Sequence, residues 1–369
     1  MSFNFRKHHC LELLELNTQL KKPLDVLMSN YFRQHKAIGS KDRKWISETL
    51  YAIVRWQGKL DAKLTQPITF EKRLEAFLEN QHQMDLENVE PHVEVSFPKK
   101  LFQMLQEQFG AQTKELCLTL NEKAPTTLRT NLLKITREEL LEILQPYYPK
   151  ASPLTKTAIH MGKKCNFFIL DAFKQGYFEV QDEGSQLICE KIQLPEKAHV
   201  LDFCAGSGGK TLALAPQLSH GGQFYLHDIR EWVLDEAKKR CKRAGVQNVQ
   251  FVPPSEIKKL KGKMDAVLCD VPCSGLGTLR RNPDLKWKFT QEKLDALLKT
   301  QESILQQAAQ FLKPKGQLIY MTCSVLLQEN KDQIHSFLEK NPQLTCSLME
   351  VLLPQSNGHD GFFIAILEK

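Results

Sequence analysis

Two thiols carry the chemistry that the sequence offers. Cys273 stands in Ala266-Val-Leu-Cys-Asp270-Val-Pro-Cys273-Ser-Gly275, where an apolar run stops at an aspartate and a proline and glycine forbid its continuation. Such a run reads as a buried parallel strand, so Cys273 is expected just beyond its carboxyl end, beside Asp270. Cys323 closes Gln317-Leu-Ile-Tyr-Met-Thr322-Cys323-Ser324 in the same way. In a parallel sheet these ends share one edge, the edge where open α/β sheets bind ligands. One cysteine at a strand end is ordinary core filler; two at neighbouring ends are hard to dismiss.

A third strand end bears on what they do. His199-Val-Leu-Asp-Phe-Cys204-Ala205-Gly206-Ser207-Gly208-Gly209-Lys210-Thr211 reads as strand, glycine turn and helix start. A phosphate-cradling P-loop needs a glycine where Cys204 stands, and a dinucleotide fingerprint needs one where Thr211 stands. A tighter turn for an adenosyl group remains, with backbone N–H groups free to approach it. Asp228 ends the next strand, 19 residues after Gly209, and suits a ribose hydroxyl. A thiol and an adenosyl cofactor together suit methylation of a pyrimidine. Carbon 5 of such a base is a poor nucleophile until a thiolate adds at carbon 6. A free thiol is only slightly ionised at neutral pH, so the pocket must favour the thiolate. The base must also be unstacked, which points to accessible RNA.

The elements that would hold these groups follow from the patterning. From residue 181 onward strands and helices alternate: strands at His199–Phe203, Gly222–Asp228, Val249–Val252, Ala266–Asp270 and Gln317–Thr322, helices at Lys210–Leu218, Arg230–Ala244 and Gln291–Leu312, with Gly316 as a helix-to-strand turn. A further helix and two closing strands end the chain. Alternation of this kind implies an α/β, mostly parallel, doubly wound sheet. Residues 113–180 read as a small α+β module, with a strand near Thr126–Asn131 and a capping box, Thr136-Arg-Glu-Glu139, before the helix Leu140–Leu144. Residues 1–112 read as mainly helical. Ser40 is placed to cap the helix Lys41–Gln57, Pro23 suits a helix start, and 67–97 reads as a loose connection with room for one helix.

The totals set the class. With 369 residues, ten scattered cysteines and a formal charge of +7, the chain suits a soluble protein of two or three domains. The mild basic excess is compatible with nucleic acid. The amino terminus has no apolar leader, no run approaches a membrane span, and a reducing cytoplasm is expected. Neither Cys-x-x-Cys nor His-x-x-x-His occurs, so no metal site is expected.

These motifs resemble the RsmB/Sun family of S-adenosylmethionine-dependent RNA cytosine-5 methyltransferases, nearest in pattern to its bacterial RsmB branch. The resemblance rests on Cys204–Thr211, Asp270–Gly275, Arg280-Arg-Asn-Pro-Asp-Leu-Lys-Trp287, Thr322-Cys323-Ser324 and Asp360-Gly-Phe-Phe363. It implies a Rossmann-like methyltransferase domain over 181–369, a small RNA-binding module before it, and a partial NusB-like helical region at the front. It further implies Cys323 as nucleophile and Cys273 as the residue that assists product release. Cys204, Ala205, Gly206, Ser207, Gly208, Gly209, Lys210 and Asp228 would hold S-adenosyl-L-methionine. Asp270 would lie between cofactor and base, and Arg280, Arg281, Lys286 and Trp287 would touch RNA or support their loop. The implied substrate is ribosomal RNA, with transfer RNA as the alternative, and a monomer is expected. The chain departs from the family at Gly206-Ser207, where Ala-Pro is usual, and at Val252-Pro-Pro-Ser255-Glu256, where an adenine-contacting aspartate is usual. Two other readings compete. A DNA cytosine-5 methyltransferase typically attacks with the Pro-Cys thiol, and Thr322-Cys323 argues against it. A non-catalytic RNA-binding or ribosome-assembly factor has only the missing aspartate in its favour.

Overall fold

The computed structural model describes residues 3–20, 22–163 and 165–369; Met1 and Ser2, where the leader was sought, lie outside them. The chain forms two compact units, residues 1–123 with 278–291, and residues 124–277 with 292–369.

The first unit is helical. Helices Phe3–Gln19, Leu24–Gln34, Ser40–Asp61 and Phe70–Leu78 bury a common core. Ile46, Leu50, Ile53 and Val54 recur at one-turn and two-turn spacing and are all buried in it, beside Leu13, Leu24 and Leu74. The expected cap at Ser40 is corrected: Ser40 is already helical, and Gly39 holds the extended conformation that a cap needs, with ψ of 167°. The 67–97 stretch holds the one helix its pattern allows, and two short helical turns besides, Gln81–Gln83 and Pro91–Glu94. Thr69 caps the helix Phe70–Leu78 by accepting from the Lys72 N–H.

The loop 278–291 completes this unit. Arg280 is 2% exposed and Lys286 fully buried, so neither is available to an RNA phosphate, and the reading of them as RNA contacts gives way to a structural one. Lys286 Nζ donates to Asn121 Oδ1 at 2.6 Å and to the Arg55 carbonyl at 2.8 Å. Trp287 Nε1 donates to the Val54 carbonyl at 2.7 Å. Asp284 does more than pair with Lys288. Its Oδ2 accepts the Leu24 N–H at 3.2 Å. The helix Leu24–Gln34 is preceded by Pro23, which makes no side-chain cap. A carboxylate 260 residues away in sequence therefore caps it, with the added benefit of the helix dipole. Asp284→Ala should cost about 1–2 kcal/mol locally. Amide hydrogen exchange at residues 24–28 is expected to quicken by roughly 5–30-fold. Unchanged protection there would show that the cap contributes nothing.

The second unit holds two sheets. Strands β1 (Thr127–Thr130), β2 (Pro149–Ala151), β3 (Ala158–Met161) and β4 (Phe178–Val180) form an antiparallel sheet in the order β2-β3-β1-β4. The helix Arg137–Ile143 starts with the expected capping box and packs Leu140 on Leu128, Ile159 and Phe178. The larger sheet comprises β5 (His199–Asp202), β6 (Gln223–Leu226), β7 (Val249–Phe251), β8 (Met264–Asp270), β9 (Leu312–Thr322), β10 (Thr345–Leu352) and β11 (Phe362–Glu368). Its order is β10-β11-β9-β8-β5-β6-β7. The strands β5 to β9 are parallel, and β11 runs antiparallel to β9.

Strand periodicity explains why both faces are covered. Ala266, Leu268, Ile319 and Met321 enter one core, whereas Val267, Cys269, Leu318 and Tyr320 enter the other. One boundary differs from expectation. β9 begins at Leu312 rather than Gln317, and Gly316 lies inside it. The pairing with β8 slips between Met264 and Ala266, and Lys315 takes φ of 63°, so the strand absorbs the sequence Lys-Pro-Lys-Gly as an irregularity instead of ending there. The strand order reverses between β5 and β8, which makes the carboxyl edge there the natural ligand crevice.

Candidate active site

The glycine turn follows β5. Gly206 and Gly208 have φ of 50° and 81°, a region that β-carbon-bearing residues rarely adopt. A Cβ at Gly206 would project into open space, within 4 Å of nothing; one at Gly208 would make ordinary contact with Ala237, at 3.4 Å. At Gly206 the turn thus presents bare backbone to open space, as a cradle for a bound group must. Ala205 is buried beneath it, Cys204 is partly covered with its thiol pushed up by burial, and Gly209 begins the next helix. Ser207 is exposed, and Arg240 Nη1 donates to its carbonyl at 2.9 Å and its hydroxyl at 2.6 Å.

Asp228, two residues past β6, is 4% exposed. Its Oδ2 accepts the Gly206 N–H at 3.0 Å, so the acid and the glycine turn are tied together. Arg230 forks onto it at 3.1 Å from Nε and from Nη2. Burial alone would raise the Asp228 carboxyl, but these donors hold it below the usual aspartate value. The Arg230 side chain is 58% exposed, which leaves it free to yield its place to a ligand hydroxyl. The next residue, Ile229, is 84% exposed, an apolar surface at the same strand end that periodicity does not mark. Ser255 and Glu256, which follow β7, are exposed as well, and Glu256 pairs with Lys259 at 3.3 Å.

Lys210 does not point along the turn. Its Nζ is buried and donates to Asp270 Oδ2 at 3.0 Å, at the end of β8. Burial disfavours the ammonium, yet Asp270 more than offsets this and holds Lys210 above its ordinary value. Beneath the pair lies Asp202, which accepts from Thr211 Oγ1 through Oδ2 and has no partner at Oδ1. Desolvation pushes its carboxyl up to about 7. The folded protein therefore keeps a proton that the unfolded chain loses near pH 4, so this group favours folding less as pH rises from about 4 to 7. Asp202→Asn should gain stability relative to wild type across that window, by at most about 4 kcal/mol. Urea unfolding at pH 4.5 and 7.5 measures it, and a pH-independent difference between the two proteins would refute the assignment.

The two thiols meet. Cys273 Sγ and Cys323 Sγ are 3.3 Å apart, although 50 residues separate them in sequence. Asp270 pairs with Met321 in the β8–β9 register, which sets the two strand ends level. Cys273 is held well above the ordinary thiol range by its hydrogen bond to Cys323, by burial, and by charge on Cys323 and Glu329. One participant escaped the motif reading. Glu329 is fully buried and accepts from Ser274 and Ser324, the residues that follow the two cysteines. It sits between short apolar residues and a helix, with no periodic signal to mark it.

The small sheet reaches the turn too. Arg129 Nη1, on β1, donates to the Gly209 carbonyl at 3.0 Å, and Glu179 on β4 pairs with Arg240, which holds Ser207. Nothing in the spacing of these residues pointed to such a link.

Comparison with known proteins places the chain. Residues 190–368 match the family model of the 16S rRNA methyltransferase RsmB/F, and residues 97–167 match that of an RsmF/B-like ferredoxin-like domain. The chain is 32% identical over 321 residues to a probable ribosomal RNA small subunit methyltransferase B of Synechocystis, covering 78% of this chain and 70% of that protein. It is 33% identical over 288 residues to the ribosomal RNA small subunit methyltransferase B of Photorhabdus laumondii, covering 74% and 66%. Among solved structures, NSun6 from Pyrococcus horikoshii, in complex with an S-adenosylmethionine analogue, shares the fold with a TM-score of 0.66 at 22% identity, over 74% of this chain and 98% of that one. No helix among the described residues is long and apolar enough to cross a membrane.

Proposed function

Because the chain belongs to the 16S rRNA methyltransferase RsmB/F family and uses S-adenosylmethionine, we propose that it methylates carbon 5 of a cytosine in RNA, ribosomal RNA first, through a covalent cysteine–cytosine intermediate. The observation that supports this most is the pair of thiols, 3.3 Å apart, at the strand ends beside the glycine turn. A methyltransferase acting on an oxygen or an exocyclic amine has no use for either.

The cofactor would lie on the turn Cys204–Lys210, with its ribose against Asp228 once Arg230 moves aside. It supplies an electrophilic methyl on a positively charged sulfur. The residues of the chain do the rest. Cys323, as thiolate, adds to carbon 6 of the cytosine, which makes carbon 5 electron-rich enough to take the methyl. Asp270, fixed by Lys210, hydrogen-bonds the polar edge of the base and holds it in line. After transfer the carbon 5 proton leaves to a base, and the Cys323 sulfur departs as thiolate when the ring double bond re-forms. Cys273, beside Cys323, serves that elimination. The small α+β module, 113–180 by the sequence reading, would carry RNA contacts.

Bisulfite sequencing of ribosomal and transfer RNA from cells with and without the gene tests the activity and finds the site. Loss of a single protected cytosine in the small-subunit RNA is expected; an unchanged pattern in both RNAs would sink the proposal. The ribose contact has its own test. Asp228→Ala should weaken S-adenosylmethionine at least about 10-fold by calorimetry, because a buried, charge-assisted acceptor is lost. Wild-type affinity would remove Asp228 from the cofactor site.

A further inference from the structure

Glu329 joins the two cysteine turns through a single side chain. Its side chain is fully buried and surrounded by donors. Oε1 accepts the Ser274 N–H at 2.8 Å and Gln301 Nε2 at 3.0 Å. Oε2 accepts the hydroxyls of Ser274 and Ser324. Those hydroxyls are themselves 3.1 Å apart. Ser274 follows Cys273 and Ser324 follows Cys323, so one carboxylate grips the residue after each thiol. Gln301 extends the grip by donating to the Pro272 carbonyl at 3.0 Å, on the other side of Cys273. The neighbouring Asn330 repeats the pattern on the second strand: its Oδ1 accepts from Thr322 Oγ1 at 2.6 Å and its Nδ2 donates to the Ser324 carbonyl at 3.0 Å. Both residues flanking Cys323 are thereby held.

We propose that Glu329 is a positioning residue of the methyl-transfer site, which fixes the separation of Cys273 and Cys323 by clamping Ser274 and Ser324 to one buried carboxylate. This rests on the two-thiol reading of the preceding section. A hydrophobic filler could pack the same space, but it could not satisfy four donors or impose their directions. The carboxylate also adds negative charge near Cys273, which favours the thiol form there.

The test is Glu329→Gln, which keeps the shape, removes the charge, and turns an NH2 toward groups that need an acceptor. kcat should fall by about 100-fold, the scale of a small misplacement of reacting groups. KM for RNA and for S-adenosylmethionine should stay within about 3-fold, as expected for an interaction that acts on the chemical step. Two readouts separate positioning from mere structural support. In a Cys323→Ser background, the pH midpoint of Cys273 alkylation by iodoacetamide, followed by peptide mass spectrometry, should move down when Glu329 becomes Gln. Disulfide formation between Cys273 and Cys323 on diamide treatment should slow by about 10-fold or more, because thiol exchange depends on access and alignment. Wild-type kcat, or an unshifted alkylation midpoint with an unchanged cross-linking rate, would overturn the proposal. If Glu329→Gln does not fold, Ser274→Ala with Ser324→Ala removes both hydroxyl donors and keeps the carboxylate. A roughly 10-fold loss of kcat with slower cross-linking is then expected, and wild-type values for both would overturn it. Alkylation and cross-linking need no RNA, so they judge the clamp even if Cys323→Ala proves fully active and the cytosine-5 reading fails.

Discussion

Cys323→Ala should abolish methyl transfer, by at least about 1,000-fold in kcat, while S-adenosylmethionine binding by calorimetry stays within about 2-fold of wild type. The reason is electronic. Carbon 5 of cytosine has no appreciable nucleophilicity until a thiolate adds at carbon 6. The Cys323 sulfur comes from the residue directly after β9, whereas the backbone cradle follows β5. Removing one sulfur atom therefore leaves the glycine turn untouched. Radiolabel transfer from the cofactor to RNA measures the first quantity. Equal activity of the two proteins would reject the covalent mechanism outright, and weakened cofactor binding would mean that the cysteine supports the fold rather than the chemistry.

Cys273→Ala should have the opposite signature. Addition and methylation proceed, elimination fails, and a protein–RNA adduct accumulates that survives denaturing electrophoresis and requires both RNA and cofactor. Steady-state turnover should drop by about 100-fold or more, within the range that proton-transfer groups typically supply, while a single turnover of methyl transfer persists. The geometry motivates the split: Cys273 Sγ stands 3.3 Å from the sulfur that must leave, and its own thiol is held in the protonated form by that neighbour, by burial and by charge. The double variant Cys273→Ala, Cys323→Ala must form no adduct. An adduct that appears in Cys323→Ala and not in Cys273→Ala would exchange the two roles, which is the pattern of an enzyme that attacks with its Pro-Cys thiol.

Much of this was legible in the chain. Strand ends announce themselves because Pro272 and Gly275 cannot continue β8, and a parallel sheet puts all such ends on one edge, so the nearness of Cys273, Cys323, the glycine turn and Asp228 follows from alternation alone. The capping box at Thr136 was readable for the same reason: its donors and acceptors lie three residues apart. Local chemistry of this sort is written into spacing.

Local context also misled in places. Ser40 looks like a cap by residue type, but Gly39 takes the position. Arg280 and Lys286 look like a basic surface loop, yet both are buried: Arg280 pairs with Glu122, and the Lys286 ammonium is matched by the Arg55 carbonyl and by Asn121, from segments more than 150 residues earlier. A lysine's charge is visible in the sequence; whether it meets water or a buried amide oxygen is not.

What the sequence by itself determined is the set of candidate groups and the edge they share: two thiols, an aspartate, a glycine turn and an acid at the next strand end. Only the tertiary structure decided how those groups are held. The capping of the helix Leu24–Gln34 by Asp284, the turn of Lys210 toward Asp270, and the grip of Glu329 on both cysteine turns each join residues far apart in the chain or out of any period. Periodicity reports which face of an element is buried. It carries no information about which distant donor meets which acceptor, because that pairing is fixed by packing in three dimensions, where each buried polar atom must find a partner or remain costly.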